Sequence, residues 1–397
     1  VLVAVSVIAF LVVLGLPFLR VAWGTPDHRV LPEGDPAREV SEIIRTEFDS
    51  NESAAFPVVV TGGVTESSTE AFAITLSNLD GVARVDAATG RYIGGAEVVA
   101  ADPELDRHVG DDATWFNVVP TVEPISAAGE ALVHDVRDLE PSFDQVLVGG
   151  QSASLIDTKE SIFSRIPWAA AWIAVSTFVL LFLMFGSLLV PLKAIVLNLL
   201  SLTATFGLMV WVFQDGNGAG LLGFTATGLT DVTTPILMFC IAFGLSMDYE
   251  VFLLSRIKEE YERTGDNDAA VASGLERTGR IVTAAALLLA VTFFAFATSQ
   301  ITFIKLFGLG LGVAVLVDAS IVRATLVPAL MTLAGDANWW LPSWLRRLHD
   351  RIGIRESAPG ETAIEWVDVT EDRSEPTTDE LAHLHAEVRQ MARTLRG

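Results

Sequence analysis

The residues best suited to chemistry lie in an octapeptide from Phe243 to Glu250, FGLSMDYE, inside a long apolar run. Asp248 is a carboxylate within this run, and such a residue costs roughly 2.5 to 3.5 kcal/mol at the centre of a membrane helix. An acid held there can alternate between a neutral, proton-loaded form and a charged form, which is what a proton relay requires. The alternative is a fixed hydrogen bond between helices that specifies packing.

Tyr249 lies about 100° further around the same helix, near enough to share an interior face with Asp248 and to donate a hydrogen bond to a carboxylate. Glu250 lies about 200° from Asp248, so we expect it to face a headgroup, a loop or a different helix. Asp248 and Tyr249 therefore form the predicted centre of the relay, and Glu250 is a candidate for ion pairing.

A second acid, Asp318, follows a stripe of small residues in the last apolar run. Gly310, Ala314 and Asp318 are spaced four residues apart, and Gly244 has the same relation to Asp248. Small residues let a neighbouring helix approach closely. We therefore predict that Gly310, Ala314 and Gly244 lie where helices meet around the relay, and that Asp318 belongs to it.

Arg323 follows Asp318 by about one and a half helical turns. Its side chain is expected to snorkel to water, with pairing to an acid of another helix as the alternative.

All six His residues lie outside the apolar runs, and His383 and His385 are too close in sequence to share a helix face. The sequence therefore predicts neither a metal site nor a cofactor.

Charge and hydropathy separate along the chain of 397 residues, which is 51% hydrophobic and carries a net charge of -23. The segment 26–165 holds 26 acids and 9 bases, whereas 166–334 holds 11 acids and 8 bases. The first segment is expected to face water and the second to face lipid. The acidic excess argues against nucleic-acid binding and against tight docking on anionic lipid headgroups.

Six apolar runs are long enough to span a ~30 Å hydrocarbon core. They lie at 1–22, 166–190, 192–213, 233–255, 281–298 and 301–333. This predicts one helix, a lobe at 23–165, a five-helix bundle at 166–334 and a tail at 335–397. The chain begins at Val without a basic segment or cleavage site, so we expect a piece of a longer protein rather than a signal peptide.

Basic residues set the expected orientation. They cluster between the fourth and fifth runs and after the last one, at Arg256, Lys258, Arg263, Arg277, Arg280, Arg346, Arg347 and Arg351. The positive-inside rule places these segments in the cytoplasm and the 23–165 lobe outside, in a multi-pass protein of a bacterial inner membrane. The tail is acidic, and its 356–378 stretch is expected to be disordered, with a short helix at 381–395.

The lobe alternates strand and helix patterns. Strands are predicted at 58–61, 82–86, 115–122 and 146–148, and helices at 67–78 and 127–138, after an amphipathic run at 36–48. Two β-α-β repeats of this kind fit a small α+β, ferredoxin-like lobe.

Several longer motifs are similar to one known family. They are FGLSMDYEVFLLSRI from Phe243, EEYERTGD from Glu259, TAAALLLAVTFFAFA from Thr283, GLGLGVAVLVDASIVRATLVPAL from Gly308, FGSLLVPLKA from Phe185 and LGFTATG from Leu222. Together they resemble the C-terminal half of the MMPL (mycobacterial membrane protein Large) family of RND transporters. The match is strong over 166–333 and rests on layout for the first helix and the lobe.

This resemblance implies twelve helices in two pseudo-symmetric halves, each with an external porter lobe after its first helix. The chain then corresponds to one half, a bundle of six transmembrane helices with an α+β lobe. In the family an Asp-Tyr pair from each half forms the relay, which carries over to Asp248 and Tyr249. The partner pair is absent from the sequence, so either a first half is missing or a second copy completes the relay.

The predicted function is proton-driven export of lipids or other hydrophobic molecules, without a cofactor. Protonation of Asp248 would permit helix rearrangement coupled to motion of the lobe. One alternative is a sterol- or lipid-sensing protein without transport. A remote alternative is an intramembrane aspartyl protease, but its GxGD arrangement is lacking, since Gly310-Leu311-Gly312 is followed by Val313.

Overall fold

A computed structural model describes residues 1–48, 52–101, 108–110 and 112–353. Its helices are α1 (Leu2–Gly15), α2 (Pro36–Glu47), α3 (Glu66–Ser77), α4 (Ala127–Arg137), α5 (Gly150–Phe185), α6 (Leu189–Met209), α7 (Ala219–Leu222), α8 (Thr234–Thr264), α9 (Asn267–Phe296), α10 (Thr302–Leu316), α11 (Val327–Ala334) and α12 (Ser343–Ile352). Its strands are β1 (Trp23–Gly24), β2 (Phe56–Thr61), β3 (Val82–Ala87), β4 (Gly90–Ile93), β5 (Ala96–Ala100), β6 (Ala113–Pro120), β7 (Gln145–Val148) and β8 (Thr230–Asp231).

Six helical segments are long and apolar enough to cross a membrane, which confirms the predicted number. They are Leu2–Arg20, Gly150–Phe185, Leu189–Gln214, Thr234–Thr264, Asn267–Phe296 and Thr302–Trp339. The last segment joins α10 to α11 through a π-helical stretch, Val317–Leu326. The structure of the described chain is thus mainly helical, with a six-stranded sheet and a two-stranded sheet in which β1 and β8 pair in parallel.

Helix α5 connects the lobe to the bundle without a break. Its 36 residues correspond to about 54 Å, well beyond the thickness of a hydrocarbon core. It begins at Gly150, before the apolar run at 166–190, because its first turns bury Ala153 and Leu155 against the lobe. It ends at Gly186, whose left-handed backbone (φ 62°) stops the helix.

Close helix contacts in the bundle depend on small residues. A Cβ at Gly207 of α6 would lie 2.2 Å from the carbonyl oxygen of Leu14 and 2.6 Å from the Cα of Gly15. These atoms belong to the backbone, so the α1–α6 crossing has no room for a side chain at Gly207. The bundle core beside this crossing includes Leu11 and Ala204, both fully buried.

The lobe is built on a six-stranded sheet with the order β5-β4-β3-β6-β2-β7. Strand β6 pairs antiparallel with both β2 and β3, and β2 pairs antiparallel with β7. The units β2-α3-β3 and β6-α4-β7 are therefore split β-α-β units, each with a strand of the other unit between its own two strands. Val58, Val60 and Phe116 are fully buried beneath helix α3 and form the centre of the lobe core.

The β4–β5 hairpin was not expected from the sequence. Strand β5 forms the edge of the sheet and all five of its residues are exposed, so it carries no alternation of apolar and polar residues. The other lobe elements lie within a few residues of their predicted positions.

The chain after α11 continues in ordered structure. A 3₁₀ turn at Gly335–Trp339 and the helix α12 follow, although the tail from 335 was expected to be largely disordered. The predicted disordered stretch at 356–378 and the helix at 381–395 lie outside the described residues.

Candidate functional site

A buried ion pair lies in the last membrane helix. Arg323 Nη2 donates to Asp318 Oδ2 at 2.7 Å, and the two side chains are only 3% and 10% exposed. Asp318 lies sixteen residues, about 24 Å, along the helix from Thr302, which places it deep within the segment. Ionisable groups this deep in a membrane helix face the protein interior and pair with one another.

The π-helical stretch explains how these two residues meet. Residues five apart in an α-helix point about 140° away from each other, whereas a π-helix forms its hydrogen bonds between residues five apart and brings them onto one face. Asp318 and Arg323 both lie within the π stretch Val317–Leu326. The expectation that Arg323 snorkels to water is therefore wrong, because it assumed α-helical geometry. The pairing proposed as an alternative is present, but within one helix.

Ser246 of α8 completes the arrangement. Its hydroxyl donates to Asp318 Oδ1 at 2.9 Å, and Arg323 Nη2 donates to the Ser246 carbonyl oxygen and lies 3.1 Å from its hydroxyl. The Arg323 guanidinium also lies over the ring of Tyr249, 5.3 Å from its centroid. Ser246 and the ring of Tyr249 thus join α8 to the ion pair of the last helix.

A small cavity adjoins the ion pair. It is lined by Asn198, Ser201, Leu202, Ala242, Leu245, Ser246, Tyr249, Ala314, Val315 and Asp318. Asn198 of α6 is 2% exposed, and its amide makes no hydrogen bond to the part of the chain that the structure describes. Buried amides usually have partners. The cavity thus collects polar groups from three helices, namely α6, α8 and the last membrane helix.

The small residues of the predicted packing stripe divide between two surroundings. A Cβ at Gly310 would lie 2.2 Å from Met238 Cε of α8, and Ala314 is buried and lines the cavity beside Asp318. Nothing lies within 4 Å of a Cβ at Gly244. Within the described chain, therefore, no helix packs on Gly244.

Asp248 is exposed on the same face of α8 as Gly244, and it makes no hydrogen bond or ion pair to a described residue. The structure thus brings Asp318, Arg323 and Tyr249 together and places Asp248 away from them. The expectation of an Asp248 held inside the bundle is not met within this chain, because α8 turns Ser246 and Glu250 inward instead. The sequence could not show which residues of the motif face inward, because apolar residues lie on every side of α8 around the motif.

Glu250 is buried, 6% exposed, at the end of the site nearer to α12. It lines a second cavity with Lys193 of α6, and Lys193, Asp318 and Arg323 are the charged groups that act on its carboxylate. Lys193 donates to the side chain of Asn338. Of the three surroundings expected for Glu250, a headgroup, a loop or a different helix, the structure shows a different helix, α6.

Residues typical of metal ligation do not converge in the described ranges, where no group of three or more His, Cys, Asp or Glu could hold an ion. The groups assembled around Asp318 are instead a carboxylate, a guanidinium, hydroxyls and an amide. Such groups exchange or hold protons and form hydrogen bonds.

Comparison with known proteins now identifies the family. The family model for the MMPL family matches residues 30–358. The chain belongs to the MMPL family. A membrane protein of Streptomyces coelicolor is 42% identical over 357 residues, which cover 90% of this chain and 47% of that protein. Membrane protein YdfJ of Bacillus subtilis is 35% identical over 356 residues, with coverage of 89% and 47%.

A third relative has a stated activity. The trehalose monomycolate exporter MmpL3 of Mycobacterium tuberculosis is 44% identical over 213 residues, 53% of this chain and 22% of that protein. The MMPL chain described here spans about half the length of the first two relatives. It is a multi-pass membrane protein of a transporter family.

Proposed function

We propose that this MMPL chain is one half of an RND-type exporter that uses proton movement to drive lipids or other hydrophobic molecules across the inner membrane. The observation that carries the proposal is the Asp318–Arg323 pair, buried in the middle of a membrane helix and shared with Ser246. A buried ion pair is a poor stabiliser, because desolvation offsets much of the Coulomb attraction. Its place in a transporter bundle therefore supports a role in proton coupling.

Asp248 supplies the second part of the relay in this proposal. An exposed carboxylate in a membrane helix would face hydrocarbon, at a cost of roughly 2.5 to 3.5 kcal/mol. A partner surface that covers Asp248 and Gly244 removes this cost, and Gly244 leaves room for a close helix contact. The partner is a second six-helix half, supplied by the same longer chain or by a second copy. Tyr249 lies between this surface and Arg323, so it links the two acids.

The lobe is the porter part of the proposed exporter. Its core strands follow the order β3-β6-β2-β7, which is the pattern of a ferredoxin-like sheet. Basic residues concentrate at the end of the bundle opposite the lobe, so the positive-inside rule supports an external lobe and a cytoplasmic tail. Helix α5 is continuous from the lobe through the membrane and can transmit helix movement to it.

The cargo proposed is a lipid, because the MmpL3 relative is a trehalose monomycolate exporter. This makes the protein a secondary active transporter and not an enzyme. Neutralising and recharging Asp318 would change its attraction to Arg323, and each elementary charge moved gains about 2.3 kcal/mol per 100 mV of membrane potential.

The test is export of trehalose monomycolate from vesicles containing the full-length protein, with and without an imposed pH gradient. Asp318→Asn is expected to abolish gradient-driven export, because the variant cannot take up and release a proton at this position. Asp215→Asn is the matched control, since Asp215 pairs with the exposed Arg20 and lies outside the buried site. Gradient-driven export by Asp318→Asn at the level of the control variant would refute the proposal. Lipid binding that does not depend on pH would favour the lipid-sensing alternative.

A further inference from the structure

Helix α12 is strongly amphipathic and lies outside the membrane helices. Trp344, Leu348 and Ile352 fall within an arc of about 80° on one face, at 100° per residue. Their exposed fractions are 68%, 43% and 53%, so the described chain leaves this apolar face largely uncovered. Trp340, just before the helix, is a further 60% exposed.

The helix is held at the end of the bundle opposite the lobe. His349 Nε2 lies 3.1 Å from the carbonyl oxygen of Leu183, and the His349 ring packs edge-on against Phe182 at 5.9 Å. Both partners belong to the last turns of α5, whose first turns lie in the lobe. The exposed apolar face of α12 is therefore fixed beside the ends of membrane helices, at the level where a bilayer surface lies.

Charge on α12 is opposite to that of the rest of the protein. The helix carries Arg346, Arg347 and Arg351 and one acid, Asp350, whereas the whole chain has a net charge of -23. In the part of the chain that the structure describes, none of the three arginines forms an ion pair with a carboxylate. A locally basic polar face beside an apolar face with tryptophan is the pattern of helices that lie in a membrane interface.

From these observations we propose that α12 lies in the plane of the membrane and binds anionic phospholipid headgroups. Trp344, Leu348 and Ile352 enter the boundary of the acyl chains, and Arg347 and Arg351, about 100° and 60° from Leu348, contact phosphate oxygens on the same leaflet. Arg346 lies about 160° from Leu348 and faces water. Tryptophan is enriched at this depth, and arginine forms paired hydrogen bonds with phosphate. An apolar protein partner would use the Trp face but would not require Arg347 and Arg351.

The position of α12 suggests what this binding does. The 3₁₀ turn Gly335–Trp339 joins α12 to the last membrane helix, in which Asp318 and Arg323 lie. Within this turn Asn338 is fully buried and accepts from Lys193. Headgroup binding by α12 would therefore fix the end of the helix that carries the buried ion pair.

The experiment uses the full-length protein in nanodiscs with Cys240→Ala as the background, because Cys240 is an exposed thiol. Single nitroxide labels are placed by Leu348→Cys on the apolar face and by Ser343→Cys, about 140° away, as the matched control. Power saturation then compares the accessibility of each label to oxygen and to a water-soluble nickel chelate. Discs of phosphatidylcholine alone are compared with discs that also contain phosphatidylglycerol.

The proposal predicts that the Leu348→Cys label becomes oxygen-accessible and chelate-protected when phosphatidylglycerol is present, while the Ser343→Cys label stays chelate-accessible. Combining Arg347→Gln and Arg351→Gln should weaken the docking equilibrium by about fivefold per arginine, whereas Arg346→Gln should change it less. A Leu348→Cys label that is equally chelate-accessible in both kinds of disc would overturn the proposal. Protection that is independent of phosphatidylglycerol and of the arginines would also overturn it and would indicate a protein partner.

Discussion

The buried pair of Asp318 and Arg323 sets the chemistry of the site at the scale of single residues. Two opposite charges 2.7 Å apart in a dry bundle attract strongly, but both have lost their hydration. Ser246 donates a hydrogen bond to Asp318, and the Arg323 guanidinium lies over the ring of Tyr249. These contacts replace part of the lost hydration. The fold therefore tolerates the pair. Neutralising one charge would leave the other buried without a counterion.

Asp318→Asn should lower the stability of the bundle by about 3 to 5 kcal/mol, because Arg323 would keep its charge without a counterion. Replacing both residues, by Asp318→Asn and Arg323→Met, should recover most of that loss. Thermal unfolding of the detergent-solubilised protein measures both effects. Equal melting temperatures for the wild type and Asp318→Asn would contradict this account of the pair.

Sequence reasoning located the right octapeptide but could not orient it. Asp248, Tyr249 and Glu250 follow one another, and in an apolar helix nothing in their order shows which side faces inward. Arg323 was misplaced for a different reason, since the π-helical stretch that turns it toward Asp318 has no sequence signature that we used. Ser246 was missed as well, because a lone serine in a membrane helix most often bonds to its own backbone.

Asp86 provides a pH-dependent contact in the lobe. Burial raises the pKa of Asp86, but hydrogen bonds from Arg91 (2.6 Å) and Arg84 (3.1 Å) outweigh burial and hold this pKa below its ordinary value of 3.8. The stabilisation is therefore fully present above pH 3.8 and is lost as the pH falls below that value.

Asp86→Asn should lower the free energy of unfolding of the lobe at neutral pH by about 1.5 to 3 kcal/mol and should weaken its dependence on acid. Urea unfolding in detergent, followed by the loss of β-sheet ellipticity, tests this at neutral and at acidic pH. An acid sensitivity identical to that of the wild type would show that Asp86 is not the group responsible.

At the scale of elements, contacts between helices determine how the bundle packs. The α1–α6 crossing depends on Gly207, whereas Gly244 on α8 meets nothing within the described chain. Both residues lie inside apolar helices, so the two positions form a natural pair for comparison.

Gly207→Ala should separate α1 from α6 and lower the melting temperature of the protein, because a methyl group there would overlap backbone atoms. Gly244→Ala should leave the fold of this chain intact and can add up to about 1 kcal/mol of helix propensity. Unfolding of both variants in detergent measures the difference. A Gly207→Ala protein as stable as Gly244→Ala would contradict the described crossing.

The elements themselves were largely predictable. Length and hydropathy are enough to identify six membrane helices, and alternating patterns identify the four central strands of the lobe. The β4–β5 hairpin escaped prediction because its outer strand buries none of its residues. The start of α5 at Gly150 was not predicted either, because its first turns are polar and are held by contacts with the lobe.

The whole molecule, as described, is a six-helix bundle with one surface that suits neither lipid nor water. Asp248 and Gly244 lie on that surface, and an acid there would be costly unless another helix covers it. The first two relatives are about twice as long as the matched segment, which leaves room for a second half. Proton coupling in our proposal therefore requires both the internal pair at Asp318 and the surface acid at Asp248.

The most direct test of this central claim is export of trehalose monomycolate by the full-length protein in vesicles, comparing the wild type with Asp248→Asn. Because Asp248 makes no hydrogen bond or ion pair to the residues that the structure describes, the variant should reconstitute and unfold like the wild type. We predict that an imposed pH gradient drives export by the wild type and not by Asp248→Asn. Gradient-driven export at an equal rate in both proteins would contradict the account.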